Sequence, residues 1–332
     1  MQFHYDKMDI NLAPIVLFVY NRPWHTEQTL TALAQNELAK ESVLFIYSDG
    51  PKGNATAEDL EKIAETRKVI RKRKWCKEAY IIESEQNKGL ADSVIDGTTE
   101  IINRYGIVIT LEDDVVVSKY FLKFMNDSLY KYAPNKEIYM VSGYTFPANK
   151  IKRQNGSFFL PLTSTQAWGT WKRAWDYFDD SAKGYKELRT NTELRKKFNL
   201  DDSYDFTSML LLQMESDSIS SWAIRWWWSV FKRHGLILYS DKSLIKNIGW
   251  DGSGRHSGKS NLFFDPDWEA EYEIKKFPNE IKCDEEKFKL IKEYLKQKLF
   301  PQKPSILKRI LKFIKKKSLM GYYFLIGINK NR

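Results

Sequence analysis

A chain of 332 residues, 42% apolar, 29% charged and 14% aromatic, has the composition of a folded globule with one large or two modest domains, and neither a disordered segment nor a fibrous rod. Its two cysteines, Cys76 and Cys283, are too few and too far apart for a disulfide framework or a cysteine zinc site. The net charge of +10 invites a nucleic-acid reading, but eleven uncompensated Lys and Arg residues lie beyond Glu293, and the rest balances at 42 basic against 43 acidic residues. The body is therefore near neutral and no nucleic-acid partner is expected.

Residues 1–13 carry charges throughout, so neither a secretory leader nor an N-terminal anchor is expected. In chain order, apolar runs at Ile15–Tyr20, Val43–Tyr47, Ala79–Ile82 and Ile107–Leu111 start 28 to 36 residues apart. That interval fits a strand plus a crossover helix, and the near-continuous Val, Ile, Leu and Phe indicate strands covered on both faces. Helices are expected at 26–35, 57–74, 90–105 and 119–132, the last capped by Ser118, with a fifth strand at Ile138–Val141. The fold class is accordingly α/β with a mostly parallel sheet flanked by helices. The basic cluster from Arg67 to Lys77 reads as the solvated face of the second helix.

From Pro147 to Phe159 the chain reads as a polar linker, after which nine of the eleven tryptophans follow. This defines an aromatic-rich second subregion. Near the end, Ser305 can cap a helix with Ile306, Leu307, Ile310, Leu311 and Ile314 on one face and cations opposite. Such a basic amphipathic tail suits an anionic membrane surface. The apolar run Leu319–Ile328 is too short to cross a ~30 Å hydrocarbon layer as a helix.

Glu112-Asp113-Asp114 follows the fourth apolar run directly, at the strand end where α/β sheets collect ligands. Adjacent carboxylates repel and raise one another's pKa unless a cation compensates, and hard oxygen donors suit Mn2+ or Mg2+ bridging to phosphate. Arg22 follows the first strand, Asp49 the second and Asn87-Lys88-Gly89 the third, so four strand ends deliver polar groups to one edge. Neither G-x-G-x-x-G nor G-x-x-x-x-G-K-[ST] is present, which disfavours a dinucleotide fold and a P-loop. The loop from Asn247 to His256, with three glycines, can approach a ligand closely. Within it, Asp251, Arg255 and His256 offer polar reach, with His256 a candidate metal ligand. His4, His25 and His234 read as structural or solvated.

On these residues, together with Pro14-Ile15-Val16-Leu17, Val141-Ser142-Gly143 and Gln166-Ala167-Trp168-Gly169-Thr170-Trp171, the chain from 13 to 258 resembles GT-A glycosyltransferases. It is similar in particular to the N-acetylglucosaminyltransferase I family and to bacterial surface-polysaccharide transferases. The resemblance implies a nucleotide-sugar-binding half over 1–146, an acceptor half over 147–275 and a helical basic tail over 276–332. It implies a donor site in which Asp49 faces uracil, Arg22 the nucleotide, and Asn87, Lys88 and Gly89 the nucleotide's flank. Asp114 would ligate the metal, while Glu112 and Asp113 hold ribose or sugar hydroxyls. Trp168 and Trp222 are the expected acceptor platform. Inverting members place a carboxylate base where this chain reads Ser220-Ser221-Trp222-Ala223-Ile224-Arg225-Trp226, without one, so Asp217 is the candidate base, ahead of Glu215, with Asp251 an alternative from another loop.

The implied activity is metal-dependent transfer from a nucleotide-sugar, UDP-linked, to a glycan or lipid-linked glycan. The location expected is the cytoplasmic side, peripheral on the inner face of the cell membrane. A sugar nucleotidyltransferase is the competing enzyme class, although the phosphate-cradling glycine turn it needs is missing. A non-catalytic membrane-docked scaffold with a sugar-nucleotide pocket is the competing non-enzyme.

Overall fold

The computed structural model describes residues 11–148, 150–216, 221–252 and 268–299. The predicted βα rhythm appears as β1 (Ile15–Val19), α1 (Pro23–Ala34), β2 (Val43–Ser48), α2 (Ala57–Arg71), β3 (Glu78–Glu83), α3 (Leu90–Tyr105) and β4 (Ile107–Glu112). After β4 come β5 (Val115–Val117), α4 (Phe121–Lys131), β6 (Ile138–Ser142), β7 (Ser157–Leu160), β8 (Trp168–Trp171) and α5 (Lys172–Trp175). Four helices and two strands complete the order: α6 (Thr192–Phe198), α7 (Phe206–Glu215), α8 (Trp222–Phe231), β9 (Leu236–Ser240), β10 (Ile245–Asn247) and α9 (Glu285–Leu299).

Among the described residues, eight strands form one sheet in the order β3-β2-β1-β4-β8-β6-β9-β7. β1, β2, β3 and β4 run parallel, and β9 runs parallel to β6. β8 lies reversed between β4 and β6, and β7 is reversed at the far edge. Consequently β1, β2, β3, β4, β6 and β9 all end at one edge. All five residues of β1 and all five of β6 are buried, as expected for strands covered on both faces.

Three local expectations change. The 147–159 stretch is no simple linker, because Ala148 and Ile151 are buried and β7 adds Ser157–Leu160 to the sheet. Ser118 does not cap α4; its hydroxyl has no hydrogen-bond partner, and the helix takes its cap from Asn36, whose Oδ1 accepts the Leu122 N–H at 2.9 Å. Arg67 turns inward from α2, donating to the Ser84 carbonyl at 2.8 Å and tying the ends of β2 and β3. α2 itself is closed by a Thr56–Asp59 capping box.

The tryptophans build the core of the second half. Trp168 stacks at 5.1 Å from Trp222 and 5.6 Å from Trp175, and Trp175 lies 5.2 Å from Trp226. Residues 276–284 are not helical, Lys276 and Cys283 forming bridges to Gly156 and Phe159, and α9 follows from Glu285, packing on the body through Ile291 and Leu295. No described helix is long and apolar enough to cross a membrane. The amphipathic segment 305–314 lies outside the described residues.

Candidate active site at the carboxyl edge of the sheet

The first three strand ends converge as the sequence suggests, but the chemistry they perform differs. Asp49, immediately after β2 and 9% exposed, spends its carboxylate inside the protein. Oδ1 accepts the N–H of Gly50 and of Lys88, both at 2.8 Å, while Oδ2 accepts the Asn87 side-chain amide at 2.8 Å and the Gly89 N–H at 2.9 Å. Each oxygen thus has two donors, which is its full capacity. Asp49 therefore organises the Asn87–Gly89 loop rather than reaching toward a nucleobase. Gly50 is obligatory beside it, since a Cβ there would lie 2.6 Å from the Gln86 backbone.

α1 starts three residues earlier than the sequence suggests, with Pro23 in its first turn. The earlier start makes Arg22 the N-cap residue and sends its side chain across to the acidic triplet. Nη2 donates to Asp113 Oδ1 and lies 2.9 Å from Asp114 Oδ2, and Nε reaches Asp113 Oδ2 at 3.3 Å. The remaining nitrogen, Nη1, is buried and has no partner among the described residues. Burial pulls the guanidinium pKa down, but Asp113 and Asp114 outweigh that and hold it above the ordinary arginine value.

Asp113 and Asp114 form the turn between β4 and β5. Thr29 of α1 donates to the Asp113 carbonyl at 2.8 Å. Asp113 is 4% exposed, and burial pushes its carboxyl up to about 6, with Asp114 adding to the rise and Arg22 opposing it. Glu112 keeps some accessible surface although protein surrounds it closely. Burial, then Asp114 and Asp113, push it up to about 8 against the pull of Arg22. The expectation of mutually repelling carboxylates needing a cation thus holds, and within the described residues that cation is Arg22.

The 247–252 loop lies directly on this cluster. β10 pairs antiparallel with β5, Asn247 opposite Val115. Ile248 N–H donates to the Asp114 carbonyl at 2.8 Å, and the Asn247 amide stands 3.5 Å from Asp114 Oδ1. At Gly249 a Cβ would sit 2.1 Å from Asp114 Oδ2, so only glycine lets the loop close over that carboxylate. Asp251 meets His25, Nε2 to Oδ2 at 3.0 Å. His25, read from sequence as structural, is 7% exposed and belongs to the site's periphery. The signal for it in the sequence is its position three residues after Arg22, on a helix that starts at the sheet edge.

Of the other expected residues, Trp168 and Trp222 are 1% and 3% exposed. They offer no face to a sugar, and the acceptor-platform expectation is corrected: they are core. Glu215 ends α7 in an ion pair with Arg189. Asp217 and His256 lie outside the described residues.

The donor set can be tested against a divalent ion. Asp113 and Asp114 are hard oxygen donors already converging on one cation, and the Asp114 side chain keeps 13% exposure. Among the described residues no group of three His, Cys, Asp or Glu side chains could hold a metal. Arg22 engages both oxygens of Asp113, so Asp114 is the carboxylate of the pair with reach toward an ion, which would need water or substrate oxygens for its other positions.

No family model matches the chain, and no curated protein does. Similar solved structures include the mannosyltransferase PcManGT from Pyrobaculum calidifontis in complex with GDP-Man and Mn2+, at 11% identity and TM-score 0.35, covering 69% of this chain and 73% of that one. Mouse xyloside xylosyltransferase 1 in its apo form is similar at 9% identity and TM-score 0.34, over 67% and 81% of the two chains. A UDP-glucose pyrophosphorylase complexed with UDP-glucose is similar at 11% identity and TM-score 0.28, over 50% and 79%. Likenesses this distant, spanning both transferases and a pyrophosphorylase, do not decide between activities.

Proposed function

We propose that the chain is a GT-A glycosyltransferase moving a sugar from a nucleotide-activated donor, UDP-linked in our reading, to a glycan acceptor of bacterial surface-polysaccharide synthesis. The observation that carries this reading is the Asp113–Arg22–Asp114 cluster at the carboxyl edge with its unpartnered Arg22 Nη1. A guanidinium nitrogen with no acceptor among the described residues suits an anionic oxygen that arrives with substrate. A donor diphosphate brings such oxygens.

Asp114, with Asp113 beside it, would hold a manganese or magnesium ion, whose chemistry is to neutralise charge on the departing diphosphate. Arg22 adds a fixed positive charge at the same place. The Asn87–Gly89 loop, held by Asp49, flanks the nucleotide, and Gly89 ahead of α3 offers the helix's amino end. The 247–252 loop limits water access over Asp114. In our reading transfer inverts the anomeric centre: the acceptor oxygen bonds to the anomeric carbon as the bond to the diphosphate oxygen breaks, and the acceptor proton passes to a carboxylate. Asp217 remains our candidate for that base. The tail beyond residue 300 is proposed to keep the enzyme on the anionic inner face of the cell membrane.

The test is calorimetric titration of UDP and GDP with and without manganese, repeated with Asp114→Asn, followed by a donor screen scored by released nucleoside diphosphate. Manganese-dependent binding lost in Asp114→Asn, with release that requires a glycan acceptor, is expected. Formation of a nucleotide-sugar from a sugar phosphate would assign the nucleotidyltransferase class instead, and binding without turnover would favour the scaffold. For the tail, flotation with phosphatidylserine vesicles should be lost on deleting residues 304–332; unchanged flotation refutes docking by that segment.

A further inference from the structure

A cavity of ≈170 Å³ lies apart from the carboxylate cluster, between the segment leading into β8 and the amino ends of α7 and α8, with Leu295 of α9 in its wall. Register fixes where it stands. β8 pairs antiparallel with β4, Thr110 opposite Trp168. Two residues beyond Thr110 the chain reaches Glu112, and two residues before Trp168 it passes Gln166. The cavity is therefore on the same carboxyl edge, one strand away from the acidic triplet.

Its lining has two characters. Thr165, Gln166 and Ser221 bring hydroxyl and amide groups, whereas Tyr204 and Phe206, both partly exposed, bring aromatic rings with centroids 4.5 Å apart. The hydroxyls of Thr165 and Ser221 and the amide of Gln166 can each donate to and accept from a ligand hydroxyl. A cavity of about 150 Å³ takes benzene, so this one admits one ring at most, and a hexose, with twice benzene's heavy atoms, would enter it only in part.

We propose that this cavity receives, in part, one sugar ring of the acceptor, its hydroxyls toward Gln166 and Ser221 and a C–H face against the aromatic wall. The assignment rests on the glycosyltransferase reading for the word acceptor, and on the cavity alone for the word sugar. It also replaces the core residues Trp168 and Trp222 with surfaces a ligand can meet.

The experiment is saturation-transfer NMR on the full chain, probed with glucose, galactose, mannose, N-acetylglucosamine and N-acetylgalactosamine, with UDP and GDP titrated in manganese alongside. At least one sugar should bind. Ala223→Trp, which fills the cavity from a partly exposed position on α8, should abolish that signal, and Gln166→Leu should weaken it about tenfold. Nucleotide binding should be unchanged in both. Sugar binding that survives Ala223→Trp, or a wild-type chain that binds no sugar of the panel, overturns the cavity assignment whatever the nucleotides do. Sugar binding abolished by Ala223→Trp in a chain that binds no nucleotide supports the saccharide site while removing the transferase reading. Should Ala223→Trp fail to fold by circular dichroism, Gln166→Leu decides, and unchanged affinity there refutes the proposal.

Discussion

Replacing Asp49 separates two roles that a carboxylate at a strand end could have. The structure gives it four hydrogen bonds, three from backbone N–H groups and one from Asn87, all at 2.8 or 2.9 Å. Hydrogen bonds to a charged group contribute about 1.5–3 kcal/mol each when deleted singly, and a buried donor left unpaired adds its desolvation cost. The four are not independent, and a loop freed at the surface recovers part of the loss by meeting water, so Asp49→Ala should cost about 4 kcal/mol. Asp49→Asn is the sharper variant. It keeps the shape and the two bonds to one oxygen, but sets an NH2 group against two donors at the other, for a loss of about 2 kcal/mol. Urea denaturation of both variants, followed by tryptophan fluorescence, reads the difference as a midpoint shift at constant slope. A nucleobase-reading Asp49 predicts the reverse pattern: full stability with nucleotide affinity lost. Asp49→Ala within about 1 kcal/mol of wild type would refute the organising role.

Three further outcomes follow from the same geometry. Arg22→Lys keeps the charge but loses the fork that spans two carboxylates, and should cost about 1–2 kcal/mol in urea denaturation, against about 3 kcal/mol for Arg22→Met, which leaves both carboxylates uncompensated; equal losses would mean the fork is immaterial. Asn36→Ala strips the α4 amino end of its cap and leaves the Ser118 carbonyl, now 2.9 Å from the Asn36 amide, without that donor; about 2 kcal/mol should be lost, and a midpoint unchanged within error counts against the cap. Gly249→Ala drives a methyl group into Asp114 Oδ2 and should weaken manganese-dependent nucleotide binding about tenfold or more, measured by calorimetry, with a stability loss of about 1–3 kcal/mol; wild-type affinity would show that the loop does not close over Asp114 in solution.

The sequence makes the first half of the sheet legible because parallel strands covered on both faces read as apolar runs, and the crossover helices between them set an even spacing. β7 and β8 escape for the opposite reason. Ser157–Leu160 follows a polar stretch, and Trp168–Trp171 contains a glycine and a threonine, so neither run stands out from its surroundings. β5 and β10 are three residues each and exist by pairing with one another across more than a hundred residues of chain. At the site, residue type and place on a strand end identified Arg22, Asp49 and the triplet, but not what their oxygens and nitrogens touch. The four donors to Asp49 come from two separate loops, and the His25–Asp251 contact spans 226 positions. Aromatic composition misled in the same way: a tryptophan that stacks on sugar and one that fills a core have the same sequence signature, and only burial separates them.

The reversed β8 strand gives one sheet edge two kinds of surface. A parallel strand delivers to the carboxyl edge the residues that follow it, and β1 to β4 do this with Arg22, Asp49, the Asn87–Gly89 loop and the triplet. An antiparallel strand delivers the residues that precede it, so the chain entering β8 brings Thr165 and Gln166 to the edge before Trp168 turns into the core. The charged groups fall on the β1 side of β4 and the neutral, aromatic-walled cavity on its β8 side. Under the proposed function, a phosphate-bearing ligand would meet the Arg22 guanidinium, and a neutral ring on the far side of β4 would meet neither that charge nor the carboxylates.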